Sequence, residues 1–168
     1  MNRKIKLLIT IFLAVVFQIS FFPGLTAGTI IPDIVLVLII LWSSRKKFGD
    51  IWLWVIFSGL LLDLASFEKL GTNIISLVII SFGASFLQTR FFIAQKLSSF
   101  LIVLGIVIGG TFFNFLIINF LTGSYWDFSW SWLGMKMVGN VVVSIFLYIV
   151  MSKFKEFFGI KESGLKMN

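Results

Sequence analysis

Apolar residues lie in long unbroken runs, and charged residues, Gly and Pro mark the gaps. Six runs result, over residues 5–22, 30–44, 51–67, 70–87, 97–121 and 133–151. A helix that is apolar on every side is buried in a large core or faces lipid. Crossing a bilayer takes roughly 20 residues, range about 17–25. Five runs meet that length. The strictly apolar part of the second, 30–42, has 13 residues, and widening it to 29–44 gives only 16. The alternation of a membrane barrel wall is missing, so strands are not expected. The pattern predicts an all-α, polytopic membrane protein: a single integral domain over 1–168 with six transmembrane helices.

Charge order decides orientation. Arg3, Lys4 and Lys6 precede the first run; Arg45, Lys46 and Lys47 follow the second. Arg90 and Lys96 separate the fourth and fifth, and Lys153, Lys155, Lys161 and Lys166 follow the sixth. These are 12 of the 14 Lys and Arg, and all share one side if every run crosses. Lys69 and Lys136 fall on the other. This is the positive-inside pattern, with both termini cytoplasmic. A re-entrant second run would carry Arg45, Lys46 and Lys47 outward and destroy the asymmetry. The net charge of +7 therefore reads as charge against an anionic leaflet, with no nucleic acid as partner.

Composition agrees. Hydrophobic residues make up 59% and charged residues 12%, and mean hydropathy is +1.07. A soluble fold this small cannot hide so much apolar surface. The first run has the basic start of a signal peptide, but its apolar stretch is too long and no A-x-A site follows, so an uncleaved anchor is expected. The chain has no Cys and no His, which removes disulfides, thiolate sites, the commonest metal ligand and the commonest general base. A Ser–Lys dyad through Lys136 has no supporting motif. The expectation is a non-enzyme without cofactor or metal.

Counting inward from the run ends puts Gln18, Asp33, Asp63, Asn114, Asn119, Lys136 and Asn140 in the outer half. Intramembrane polar groups of this kind normally face a bundle interior. Asp33 after Pro32 makes a good helix start. Asp63 and Lys136 lie at similar depth and are expected to pair, directly or through Asn140, one turn from Lys136. Gly105-x-x-x-Gly109 with Gly110, Gly59 one turn before Asp63, and Gly134 with Gly139 are candidates for close helix approach. Aromatic residues at 126, 128, 130 and 132 have period two, which suggests an extended external segment. Trp126 and Trp130 in it are candidates for an interfacial belt or a partner-docking surface.

One stretch goes further. Residues 32–71 read PDIVLVLIILWSSRKKFGDIWLWVIFSGLLLDLASFEKLG. Pro-Asp opens an apolar helix, a basic turn follows, a helix carries Gly59-x-x-x-Asp63, and Leu70-Gly71 opens the next. With Gln18 and Phe22-Pro23, this resembles the rod shape-determining protein MreD family. The distinctive part is about 40 residues; the second half matches only in hydrophobic character, so Asn114, Asn119, Lys136 and Asn140 receive no family role. The resemblance implies a subunit of the elongation machinery in a bacterial inner membrane, binding MreC beside RodA, MreB and the elongation-specific penicillin-binding transpeptidase. It would support lateral peptidoglycan synthesis and cell shape. It also implies a fold similar to the S components of energy-coupling-factor vitamin transporters. A small-molecule-binding S component is therefore the alternative function.

Overall fold

The computed structural model describes residues 3–25, 31–66, 69–91, 96–123 and 129–154. All regular structure among them is helical: α1 (Arg3–Ser20), α2 (Phe22–Leu25), α3 (Ile34–Ser43), α4 (Phe48–Ser66), α5 (Thr72–Phe91), α6 (Lys96–Thr122) and α7 (Trp130–Lys153). The second run becomes α3, and it is shorter than the run. Pro32 supplies no N–H, and Asp33 takes a non-helical backbone as N-cap, so the helix begins only at Ile34. The other helices start earlier or end later than their runs, because they include flanking charged and aromatic residues at which the apolar pattern stops.

Helix α3 is the core. All ten of its residues are buried, and it contacts α1, α4, α5, α6 and α7. That explains its uniform apolarity, since no side of it meets lipid or water. The helices around it expose large apolar side chains, including Leu53, Leu101, Phe120, Val142 and Phe146, while Asp33, Asp63, Ser76, Thr111, Asn114 and Asn140 are buried. Polar groups inside and apolar groups outside suit a protein whose solvent is hydrocarbon. Among the described residues, four helical segments are long and apolar enough to cross a membrane: Leu7–Gly24, Phe48–Ser66, Phe100–Thr122 and Trp130–Lys153. Ile34–Ser43 and Thr72–Leu87 are shorter apolar helices. The chain is a helical membrane protein.

Side-chain bonds show which helix ends lie together. The backbone N–H of Asp33 donates to Asn140 Oδ1 at 2.6 Å, and Arg45 Nη2 donates to Ser152 Oγ at 3.4 Å. Both pairs are 107 residues apart, so α3 and α7 run parallel in one register. Ser85 Oγ, near the end of α5, donates to the Lys46 carbonyl. The molecule thus has a basic end, where α3, α5 and α7 finish, and a polar end, where they begin and α1, α4 and α6 finish.

Close approach occurs where glycine permits it, though not at every expected glycine. A Cβ on Gly59 would lie 2.6 Å from Ile74 Cα and 2.8 Å from Ile74 N, so α4 and α5 meet backbone to backbone. A Cβ on Gly110 would lie 2.7 Å from Ile40 Cδ1, and one on Gly139 would lie 3.2 Å from Pro32 Cγ. Gly105, Gly109 and Gly134 face open space. The Gly105-x-x-x-Gly109 motif therefore packs against no described helix. Gly110, one residue and about 100° further round, is the position that admits α3.

Candidate functional site

The polar end is organised by the start of α3. A helix whose start is buried inside the protein leaves its first N–H groups without intrahelical partners, and they must be satisfied by neighbouring groups. Three side chains do so. Gln18 Oε1 accepts from Val35 N at 3.0 Å, Asp33 Oδ1 from Leu36 N at 3.4 Å, and Asn140 Oδ1 from Asp33 N.

The Asp33 carboxylate ties the neighbouring helices to this start. Its Oδ1 accepts from Gln18 Nε2 and its Oδ2 from Asn114 Nδ2, each at 3.2 Å. Lys136 Nζ lies 3.8 Å from Oδ2 and 5.2 Å from the centre of the Trp132 ring. Ser76 Oγ donates to Asn114 Oδ1. Asn140 Nδ2 donates to Thr111 Oγ1, which in turn donates to the Val107 carbonyl. One layer therefore joins α1, α3, α5, α6 and α7, with an acid and a base that balance in charge. Its oxygens and amide hydrogens are largely spent on one another, which makes it a fastening more than a receptor.

Asp63 does not join this layer, and the expected Asp63–Lys136 pair does not form. Asp63 Oδ2 accepts from Gly71 N, and Oδ1 from Asn73 N and Asn73 Nδ2, at 2.8–3.0 Å. It closes the connection from α4 to α5, where Gly71 has φ +98°. A short carboxylate eight residues before Gly71 reaches these local donors at no cost in long-range geometry. Lys136 goes to Asp33 because α7 packs on α3 and makes no comparable contact with α4. Asn119 Nδ2 bonds the Phe115 carbonyl of its own helix, unlike Asn114 and Asn140, which bridge helices.

Of the seven polar residues that the sequence pattern places in the outer half, the structure brings five together, Gln18, Asp33, Asn114, Lys136 and Asn140. The pattern does not single out Ser76 or Thr111 as members. Their only sequence signal is position: Ser76 is one turn into α5, and Thr111 is next to Gly110.

The two basic residues that depart from the charge asymmetry both find acceptors at the polar end. Lys136 has Asp33, and Lys69 Nζ lies 3.5 Å from the Thr122 carbonyl at the end of α6, where a cation complements the helix dipole. Trp130, 72% exposed, opens α7. Ser129 caps that helix through Trp132 N. Positions 130 and 132 are therefore helical, and the extended reading fails for that half of the aromatic segment. Trp126 and the rest of the segment lie outside the described residues.

On the flank, α1 and α7 leave an apolar groove of about 580 Å³, lined by Leu13, Phe17, Phe21, Ile34 and Leu147 with Thr10 at its edge. Three or more His, Cys, Asp or Glu grouped as for a metal do not occur among the described residues.

Compared with known proteins, the chain matches no family model, no curated protein and no solved structure.

Proposed function

We propose that this chain is a non-enzymatic subunit of the MreD type. It would cross a bacterial inner membrane six times with both termini cytoplasmic, bind MreC, and support lateral peptidoglycan synthesis with RodA, the transpeptidase and MreB. One observation carries the reading. Five residues of the 32–71 pattern have a position-specific structural task. Pro32 packs on Gly139, Asp33 ties α3 to α1, α6 and α7, Gly59 admits the backbone of α5, Asp63 closes the next connection, and Gly71 takes the positive φ there. These tasks tie the pattern to one architecture, and that dependence supports the reading.

In this reading α5, which exposes Ile75, Ile79 and Phe82, is one of the outer crossings, and α3 completes the six inside a shell of longer neighbours. A helix of ten residues is about 15 Å long, half of a hydrocarbon core of about 30 Å, and only full enclosure by protein makes that tolerable. Mutual satisfaction of the buried polar groups also favours a scaffold over a small-molecule carrier, whose pocket would keep polar atoms for its ligand.

The test is recovery of partners from the native membrane in mild detergent, using a tagged full-length chain. The expected result is retention of an MreC homologue. Recovery of an ATPase-bearing energising module without MreC, together with retention of a vitamin-sized ligand, would overturn the proposal in favour of an S component.

A further inference from the structure

The turn after α3 carries Arg45, Lys46 and Lys47 in succession. Arg45 is half-buried at the basic end. Its neighbours there are neutral: Ser152 Oγ at 3.4 Å, and the Tyr148 ring with its centre 4.7 Å from Arg45 Cζ. Burial holds the guanidinium below its ordinary pKa, and the Tyr148 hydroxyl offsets part of that effect. Arginine nevertheless stays charged, and a partly desolvated charge without a counter-charge is costly. Lys47 and Lys153 add charge at the same end, both exposed. Among the described residues, no carboxylate lies within ion-pair distance of Arg45, Lys47 or Lys153. One turn earlier, Trp42 Nε1 and Ser43 Oγ are buried with no partner among the described residues. Among the described residues, this end carries one carboxylate, the exposed Asp50, against Arg45, Lys47 and Lys153, and leaves two buried polar groups without a partner.

We propose that the 45–47 turn holds the headgroup phosphate of an anionic phospholipid, with Arg45 as the principal contact and Lys47 and Lys153 at its rim. The planar guanidinium fork matches two phosphate oxygens. The surrounding helices offer apolar flanks for the acyl chains: Phe82, Leu101 and Ile149 are each more than half exposed. A lipid uses both features, whereas free phosphate uses only the first. The inference rests on the chain being embedded in a bilayer and is independent of any MreC partnership.

The test uses the full-length protein in mild detergent, with phosphatidylglycerol and phosphatidylcholine of identical chains as probes. Retention is followed by native mass spectrometry and stability by thermal unfolding. Phosphatidylglycerol is expected to stay bound and raise the unfolding midpoint, while phosphatidylcholine and inorganic phosphate do neither. Arg45→Gln is expected to weaken phosphatidylglycerol by about fivefold or more, the factor typical of one basic residue at a membrane surface. Equal retention of the two lipids, an equal shift with inorganic phosphate, or unchanged affinity in Arg45→Gln would each overturn the proposal. If Arg45→Gln does not fold, Lys47→Gln combined with Lys153→Gln provides the decision at two exposed positions. A loss of about 25-fold is expected there if the two effects add, and unchanged affinity rejects the site.

Discussion

Asp33 has four donors around one carboxylate, from Gln18, Leu36, Asn114 and Lys136, so its substitutions should not be equivalent. Asp33→Ala strands the Lys136 charge and three N–H groups in a poorly solvated layer. Removing one partner of a buried pair typically costs ~3–5 kcal/mol. Lys136→Met should cost less, because three neutral donors still serve the carboxylate. The Asp33→Asn/Lys136→Met cycle should give a coupling of ~0.5–3 kcal/mol, as expected for groups in direct contact. Asp63 offers the contrast. Asp63→Ala leaves Gly71 N and Asn73 N without their acceptor, at ~1–3 kcal/mol, and its effect should add to that of Lys136→Met without coupling. Thermal midpoints of the purified variants in detergent check both statements. Coupling between Asp63 and Lys136, with none between Asp33 and Lys136, would mean that the layer is wrongly assigned.

The six longer helices were each legible from an apolar run, because in lipid the run and the buried or lipid-facing length are nearly the same thing, whereas the four-residue α2 was not. That Gln18, Asp33, Asn114, Lys136 and Asn140 lie at one end of the helices was legible too, since rise per residue converts sequence position into height. Azimuth was not. Which acid meets Lys136 depends on the order of helices around the axis, and a run of leucines and isoleucines carries no record of it. The glycines divide for the same reason: Gly59, Gly110 and Gly139 admit a neighbour, whereas Gly105, Gly109 and Gly134 meet open space. This gives a sharp comparison of helix contacts. Gly59→Ala forces a Cβ into the backbone of α5 and should destabilise by ~1–3 kcal/mol as an overpacked contact. Gly105→Ala and Gly109→Ala meet open space and should stabilise their helix by ~0.5–1 kcal/mol each. Unfolding midpoints of the three variants read this directly, and a loss at Gly109 equal to that at Gly59 would show that the open face is occupied.

For the molecule in its membrane, the basic and polar ends fix what a labelling experiment should see. The chain has no Cys, so single introduced thiols report without background. Leu70→Cys, at an exposed position of the polar end, is expected to react with an impermeant reagent in intact cells. Lys47→Cys, exposed at the basic end, should react only after the cells are opened. Reaction of Lys47→Cys from outside would invert the proposed orientation. Ser44 would be a poor reporter on either side, because it is buried and bonded to the Ile40 carbonyl.

The 107-residue offset shared by the two bonds between α3 and α7 also has a meaning in time. Chains lengthen at about 5–20 residues per second during synthesis, so α3 is made about 5–20 s before the helix that receives it. Through that interval the Asp33 amide and the Arg45 guanidinium have no α7 to meet, and α3 is too short to settle across the bilayer by itself. Nascent α3 must therefore wait at the insertion machinery or beside α1, and a chain stopped at residue 129 should be cleared by proteolysis faster than the full-length protein.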